Sequence, residues 1–150
     1  MKTTFTNWTH WKDRQRLPDL SYPGVYAIAI AKTDISGTPF SWIPEIVYVG
    51  MTNAKGGLKS RLGQFDNTIK GKRGHGGGKR VRFKHKEYKT LSSKSYVSVC
   101  AFNCDVEAMD PHNLRIMGEV TKYEYECFAL FVEKFGQLPE FNDKQRSPKK

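Results

Sequence analysis

Cysteine, long apolar runs and acidic residues are all scarce in this 150-residue chain. Only three cysteines occur. Cys100 and Cys104 stand four apart and Cys127 is distant, a spacing that makes neither a Cys-x-x-Cys pair nor a zinc-ligand set. A disulfide-stapled secreted scaffold is therefore excluded, and reduced thiols of a cytoplasmic protein are expected, with Cys127 in the core. No stretch approaches the run of roughly 20 apolar residues that spans a bilayer. The N-terminus is polar and carries Trp8 and Trp11, unlike a signal peptide, so no membrane partner is expected. Fifteen acids face twenty-five Lys and Arg, leaving a net charge of +10. That imbalance favours a polyanionic partner.

The positive charge is concentrated. Between residues 55 and 94 lie thirteen Lys or Arg but only two acids, Asp66 and Glu87. A second basic cluster, from 144 to 150, closes the chain. No helix with a large apolar face accompanies the basic segment, so a membrane surface is the weaker partner. Nine Phe and seven Tyr can fill one small core. The length suits one domain, and neither repeats nor a linker divide it.

Hydrophobic periodicity orders the elements. Pro23 and Gly24 open a β-type run over 25–31, and a second run over 46–50 follows a Gly- and Pro-bearing excursion. Leu58, Leu62, Phe65 and Ile69 recur at helical spacing, predicting a helix over 57–70. The Gly-rich stretch 71–78 reads as a loop. Residues 80–88 fit a short basic helix or, because basic residues alternate there, an edge strand. A third strand is expected over 95–102, and a long helix over 114–135, stopped by Gly136 and Pro139. The expected fold is α+β, a small three-stranded antiparallel sheet flanked by helices in the order ββαβα. It has an N-terminal arm (1–22), a basic insert (71–92) and a basic tail (143–150).

On the last helix Val120, Cys127, Phe131 and Phe135 form an apolar stripe, with Glu124 in its middle. A carboxylate there is costly unless it is paired or binds a cation. Glu126, on the polar side, is the neighbouring alternative. Arg61 sits at the border of the first helix's buried face, with its guanidinium aimed towards the strands.

Gly24-Val25-Tyr26 on one strand and Tyr48-Val49-Gly50 on the next, ahead of a helix bearing Arg61, resemble the tandem motif of the GIY-YIG nucleases. Val replaces Ile in both triplets. The resemblance runs from about Pro23 to Asn142. It implies a divalent-metal-dependent endonuclease that hydrolyses DNA phosphodiester bonds, of restriction, phage or mobile-element, or repair type. It also implies catalytic roles for Tyr26, Tyr48 and Arg61, and a Mg²⁺ or Mn²⁺ ion held by Glu124. His75, in its glycine-rich stretch, would stand near the scissile phosphate or follow the DNA backbone. Lys59, Lys79, Arg80 and Arg82 are the expected phosphate contacts. Asn142 either ties the turn after the last helix to the core or makes a simple Asn turn. The expected partner is double-stranded DNA, gripped by the domain's own inserts, with a homodimer as an option. A catalytically inactive DNA- or RNA-binding module is the alternative, and it leaves the placement of Glu124 unexplained.

Overall fold

The computed structural model describes residues 4–149. A two-residue strand, β1 (Thr9–His10), leads through a 3-10 turn (Trp11–Arg16) to β2 (Gly24–Ile30) and β3 (Ile46–Thr52). Helices α1 (Gly57–Ile69), α2 (Gly76–Lys84) and α3 (Tyr88–Ser93) precede β4 (Ser95–Ala101). Helix α4 (Pro111–Phe135) and a 3-10 turn (Glu140–Asn142) complete the fold.

The fold is α+β, as expected, but the sheet has four antiparallel strands rather than three, in the order β1-β4-β2-β3. The extra strand pairs Thr9 with Val97 and His10 with Tyr96. Two residues are too few to show alternation, so this strand leaves no periodic signature in the sequence. The segment expected as an arm is therefore integral to the domain. Trp8 and Trp11 are buried, and Trp11 Nε1 donates to Asp66 Oδ1 over 2.8 Å. The expected basic tail is likewise docked as far as it is described, with Ser147 buried. Residues 1–3 and Lys150 of these two calls lie outside the described residues.

Alternation along β2 divides the interior in two. Val25, Ala27 and Ala29 face α4 with Val120, Cys127 and Phe131, whereas Tyr26 and Ile28 face α1 with Leu58, Leu62 and Phe65. Asp66 ties the second layer together. It accepts from Trp11, from the Tyr88 hydroxyl (2.7 Å) and from Lys70 (2.8 Å), and it pairs with Arg14 (3.3 Å). Burial would raise its carboxyl, but these partners outweigh burial and hold it below the usual carboxylate range.

The basic insert also departs from expectation. The stretch 71–78 is not all loop: α2 begins at Gly76 and runs to Lys84, which excludes the edge strand, and α3 follows. Three consecutive glycines disfavour a helix by roughly 1 kcal/mol each relative to Ala. Packing explains them: a Cβ on Gly77 would enter the Tyr48 ring, and one on Gly78 would crowd Thr68. No helix among the described residues is long and apolar enough to cross a membrane.

Candidate active site

The register of two strands creates the centre of the site. Tyr26 pairs with Gly50 and Ile28 with Tyr48, so both tyrosines stand on the α1 face, diagonally across the pair. Their ring centroids lie 6.1 Å apart. Gly50 makes this possible, since a Cβ there would collide with both rings. The glycine of the second triplet thus has a steric role that its spacing alone does not reveal.

His75 completes the cluster from the far side. Its backbone N–H donates to Thr68 Oγ1 (3.0 Å), which anchors it to α1. Its ring is boxed by Tyr48 (5.4 Å) and Phe65 (5.1 Å). His75 Nδ1 accepts the Gly78 N–H at 3.1 Å and so caps α2, while Nε2 lies 2.7 Å from the Tyr26 hydroxyl. An acceptor Nδ1 carries no proton, so in the neutral ring Nε2–H donates to Tyr26 Oη. Burial, with the charges of Arg61 and Arg80, pushes the imidazole down to about 3. His75 is buried rather than carried on an open loop, its ring bonded to Tyr26 and the glycines after it packed against Tyr48 and Thr68.

The neutral cap has a pH signature. The folded pKa of His75 lies below the ordinary value near 6.5, so the unfolded chain binds the extra proton first. Its contribution to stability is complete above that value and declines as pH falls towards the folded pKa. Between pH 6.5 and 5 this loss approaches about 1.4 kcal/mol per pH unit, one proton's worth. His85 adds to the loss with the same sign, burial again lowering it. His75→Asn keeps an oxygen able to cap α2 and removes the titration. Thermal melts across this window should therefore show a flatter pH dependence for the variant than for the parent. Equal slopes would mean that His75 is not buried neutral.

Arg61 and Glu124 approach from two further elements. The Arg61 guanidinium donates to Gln64 Oε1 (2.9 Å) and reaches towards the Tyr26 hydroxyl, yet its buried Nε–H has no partner among the described residues. Asn53 Oδ1 is also buried without a partner among them, and Asn53 and Arg61 line one groove beside β3. Asn53 carries no sequence signal, because its place depends on the Met117 carbonyl of α4, to which its Nδ2 donates (2.9 Å). Burial raises the Tyr26 phenol well above its ordinary value and raises Tyr48 too, while Arg61 pulls both down. Glu124 lies close enough to act on both tyrosines. It is half-buried, and burial raises its carboxyl against the pull of Arg61. No described residue gives it a hydrogen bond or an ion pair at contact distance. Glu126 is exposed on the outer side of α4.

Asn142 braces the outer strand. Its Oδ1 accepts the Val49 N–H and its Nδ2 donates to the Val49 carbonyl, both at 2.8 Å. Of the two alternatives, the structure has the tie to the core. Val49 lies between Tyr48 and Gly50, so this bond steadies the edge of the tyrosine pair.

The four expected phosphate contacts separate into two groups. Lys59 and Lys79 are exposed. Arg82 is half-buried and donates to the Ile69 carbonyl at the end of α1 (3.0 Å). Arg80, 7% exposed, is turned inward and its Nε donates to the Phe141 carbonyl (2.9 Å). Its alternation with exposed basic neighbours conceals that inward turn. Lys72, Arg73, Lys79, Arg82, Lys86 and Lys149 together line an acid-free groove next to the site.

Among the described residues no group of three or more His, Cys, Asp or Glu could hold a metal. The donor set on offer is the single carboxylate of Glu124. The chain matches no known family model, no characterised protein and no solved structure.

Proposed function

We propose that this chain is a divalent-metal-dependent endonuclease of the GIY-YIG kind, hydrolysing phosphodiester bonds of double-stranded DNA. The observation that carries the reading is the convergence of Tyr26, Tyr48, Arg61, His75 and Glu124, each from a different segment. Arg61, permanently charged and with a buried donor unused, suits a phosphate oxygen that gains charge in an in-line displacement. Tyr48 orients the water or a phosphate oxygen. Tyr26, as phenolate, receives the water's proton as the water oxygen bonds to phosphorus; the P–O bond to the leaving sugar oxygen breaks, and that oxygen takes a proton from solvent. Phenols ionise near pH 10, and burial raises Tyr26 further, so its proton-accepting form needs positive charge beside it. Arg61 supplies part of that charge, and the His75 Nε2–H steadies the oxygen.

Glu124 fits Mg²⁺ or Mn²⁺, since Mg²⁺ keeps several waters and takes one or two carboxylates. When bound, the ion would supply Lewis acidity and lower the pKa of a bound water. The basic groove supports a duplex backbone as the substrate's other contact. A module that binds DNA or RNA without cutting would explain that groove but not the unpartnered carboxylate beside two phenols. The test is a plasmid-nicking assay with purified protein. Nicking in Mg²⁺ that stops on chelation is the expected result. Tight binding with no nicking in either Mg²⁺ or Mn²⁺ would favour the inactive module.

A further inference from the structure

Helix α4 carries a second apolar stripe besides the one it buries. Ile116, Val120, Cys127 and Phe131 face the sheet. Turned about 120° from them at 100° per residue lie Leu114, Thr121, Tyr125, Phe128 and Val132, within about 60° of one another. Leu114 is 46% exposed, Tyr125 68% and Val132 38%. Phe128 is half-buried and meets Tyr125 edge-on at 5.8 Å. Gly118 borders the stripe. A Cβ there would touch nothing, so neither packing nor backbone requires a glycine that costs about 1 kcal/mol in a helix.

The stripe is its own complement when reversed. About position 123, Leu114 mirrors Val132, Gly118 mirrors Phe128 and Thr121 mirrors Tyr125. Each aromatic ring would therefore meet a small residue or a hollow on an antiparallel copy. The flanking charges follow nearly the same symmetry, with a centre one position (about 1.5 Å) further along, within reach of long side chains. Arg115 and Lys122 in the first half share a flank with Glu126 and Glu133 in the second; all four are exposed, and none forms an ion pair among the described residues. About position 124, Arg115 mirrors Glu133 and Lys122 mirrors Glu126. A parallel pair would instead set this flank against the partner's opposite flank and leave all four charges without a counterpart.

We propose that two copies of this chain pair through the outer faces of α4, antiparallel across a two-fold axis. Lys122 and Glu126 can also pair along one helix, so Arg115 and Glu133, 18 positions apart, are the diagnostic contact. One helix pair falls near or below the roughly 1,200 Å² at the low end of specific interfaces, so micromolar affinity is expected. This pairing does not depend on the nuclease reading.

Sedimentation equilibrium of the whole chain, from about 1 to 200 µM, should show the mass rising from 17.2 kDa towards twice that value. Tyr125→Glu should weaken association at least tenfold. Its side chain is mostly exposed, so an unchanged thermal melt should accompany the loss. Arg115→Glu or Glu133→Arg alone should weaken association by about threefold or more, because symmetry applies each change twice. The two together should return it to near the parent value. A mass of 17.2 kDa at every concentration overturns the proposal. So does a dimer indifferent to Tyr125→Glu and to the charge reversals, because it would use another face.

Discussion

Arg61→Ala is expected to reduce DNA cleavage a hundredfold or more, about 2.7 kcal/mol of transition-state stabilisation, while the fold stays intact. Stability makes the expectation specific. Buried N–H groups are almost always paired, and one left unpaired costs about 1–3 kcal/mol. Arg61 Nε is such a group. Alanine removes it, but also removes the positive charge that partly offsets the burial of Glu124. The two changes oppose each other, so the melting temperature should stay near the parent's while turnover collapses. A merely structural arginine would show the opposite, losing stability and activity together. Affinity for duplex DNA should change little, because exposed cations such as Lys59 and Lys79 are untouched. A variant that keeps more than about a tenth of parental turnover, a loss below roughly 1.4 kcal/mol, would remove Arg61 from the catalytic machinery.

The legible parts of this fold were those with a local signature. Apolar runs rich in strand-favouring residues marked β2 and β4, and the i, i+3, i+4 spacing of Leu58, Leu62, Phe65 and Ile69 marked α1 to within a residue at each end. The same stripe logic set Glu124 apart from Glu126, and the two differ in burial as that logic requires. The parts that stayed hidden depend on partners far along the chain. Strand β1 exists because Thr9 and His10 find Val97 and Tyr96, and two residues carry no pattern of their own. The glycines of α2 look like a flexible loop by propensity, yet Gly77 lies in a helix because it abuts Tyr48. His75 was visible as a residue of interest, but its burial and its bond to Tyr26, 49 positions away, were not. Arg80 shows the same blindness in reverse. A row of alternating cations cannot disclose which member meets the Phe141 carbonyl.

Glu124→Gln should abolish metal-dependent cleavage, whereas Glu126→Gln should leave it within about twofold, under ~0.5 kcal/mol. The contrast rests on environment rather than residue type. Glu126 is exposed, where water satisfies its charge. Glu124 is half-buried beside two phenols, and its carboxyl is raised by burial that Arg61 only partly offsets. A raised carboxyl pKa means that the ionised form is disfavoured in the folded state. Where it is ionised, Glu124 therefore opposes folding unless a cation joins it. Glutamine keeps the shape and removes the charge. Without divalent ions the Glu124→Gln protein should melt at the parental temperature or above it. Titration with Mg²⁺ should then raise the parent's melting temperature and leave the variant's unchanged, since only a site present in the folded state shifts the equilibrium. This readout needs no turnover, so it separates loss of the ion from damage elsewhere in the site. A variant that still gains stability from Mg²⁺ would show the ion bound somewhere other than Glu124. If Glu126→Gln proved the inactive one, the face of α4 that carries the chemistry would be the outer face and not the one turned towards Tyr26.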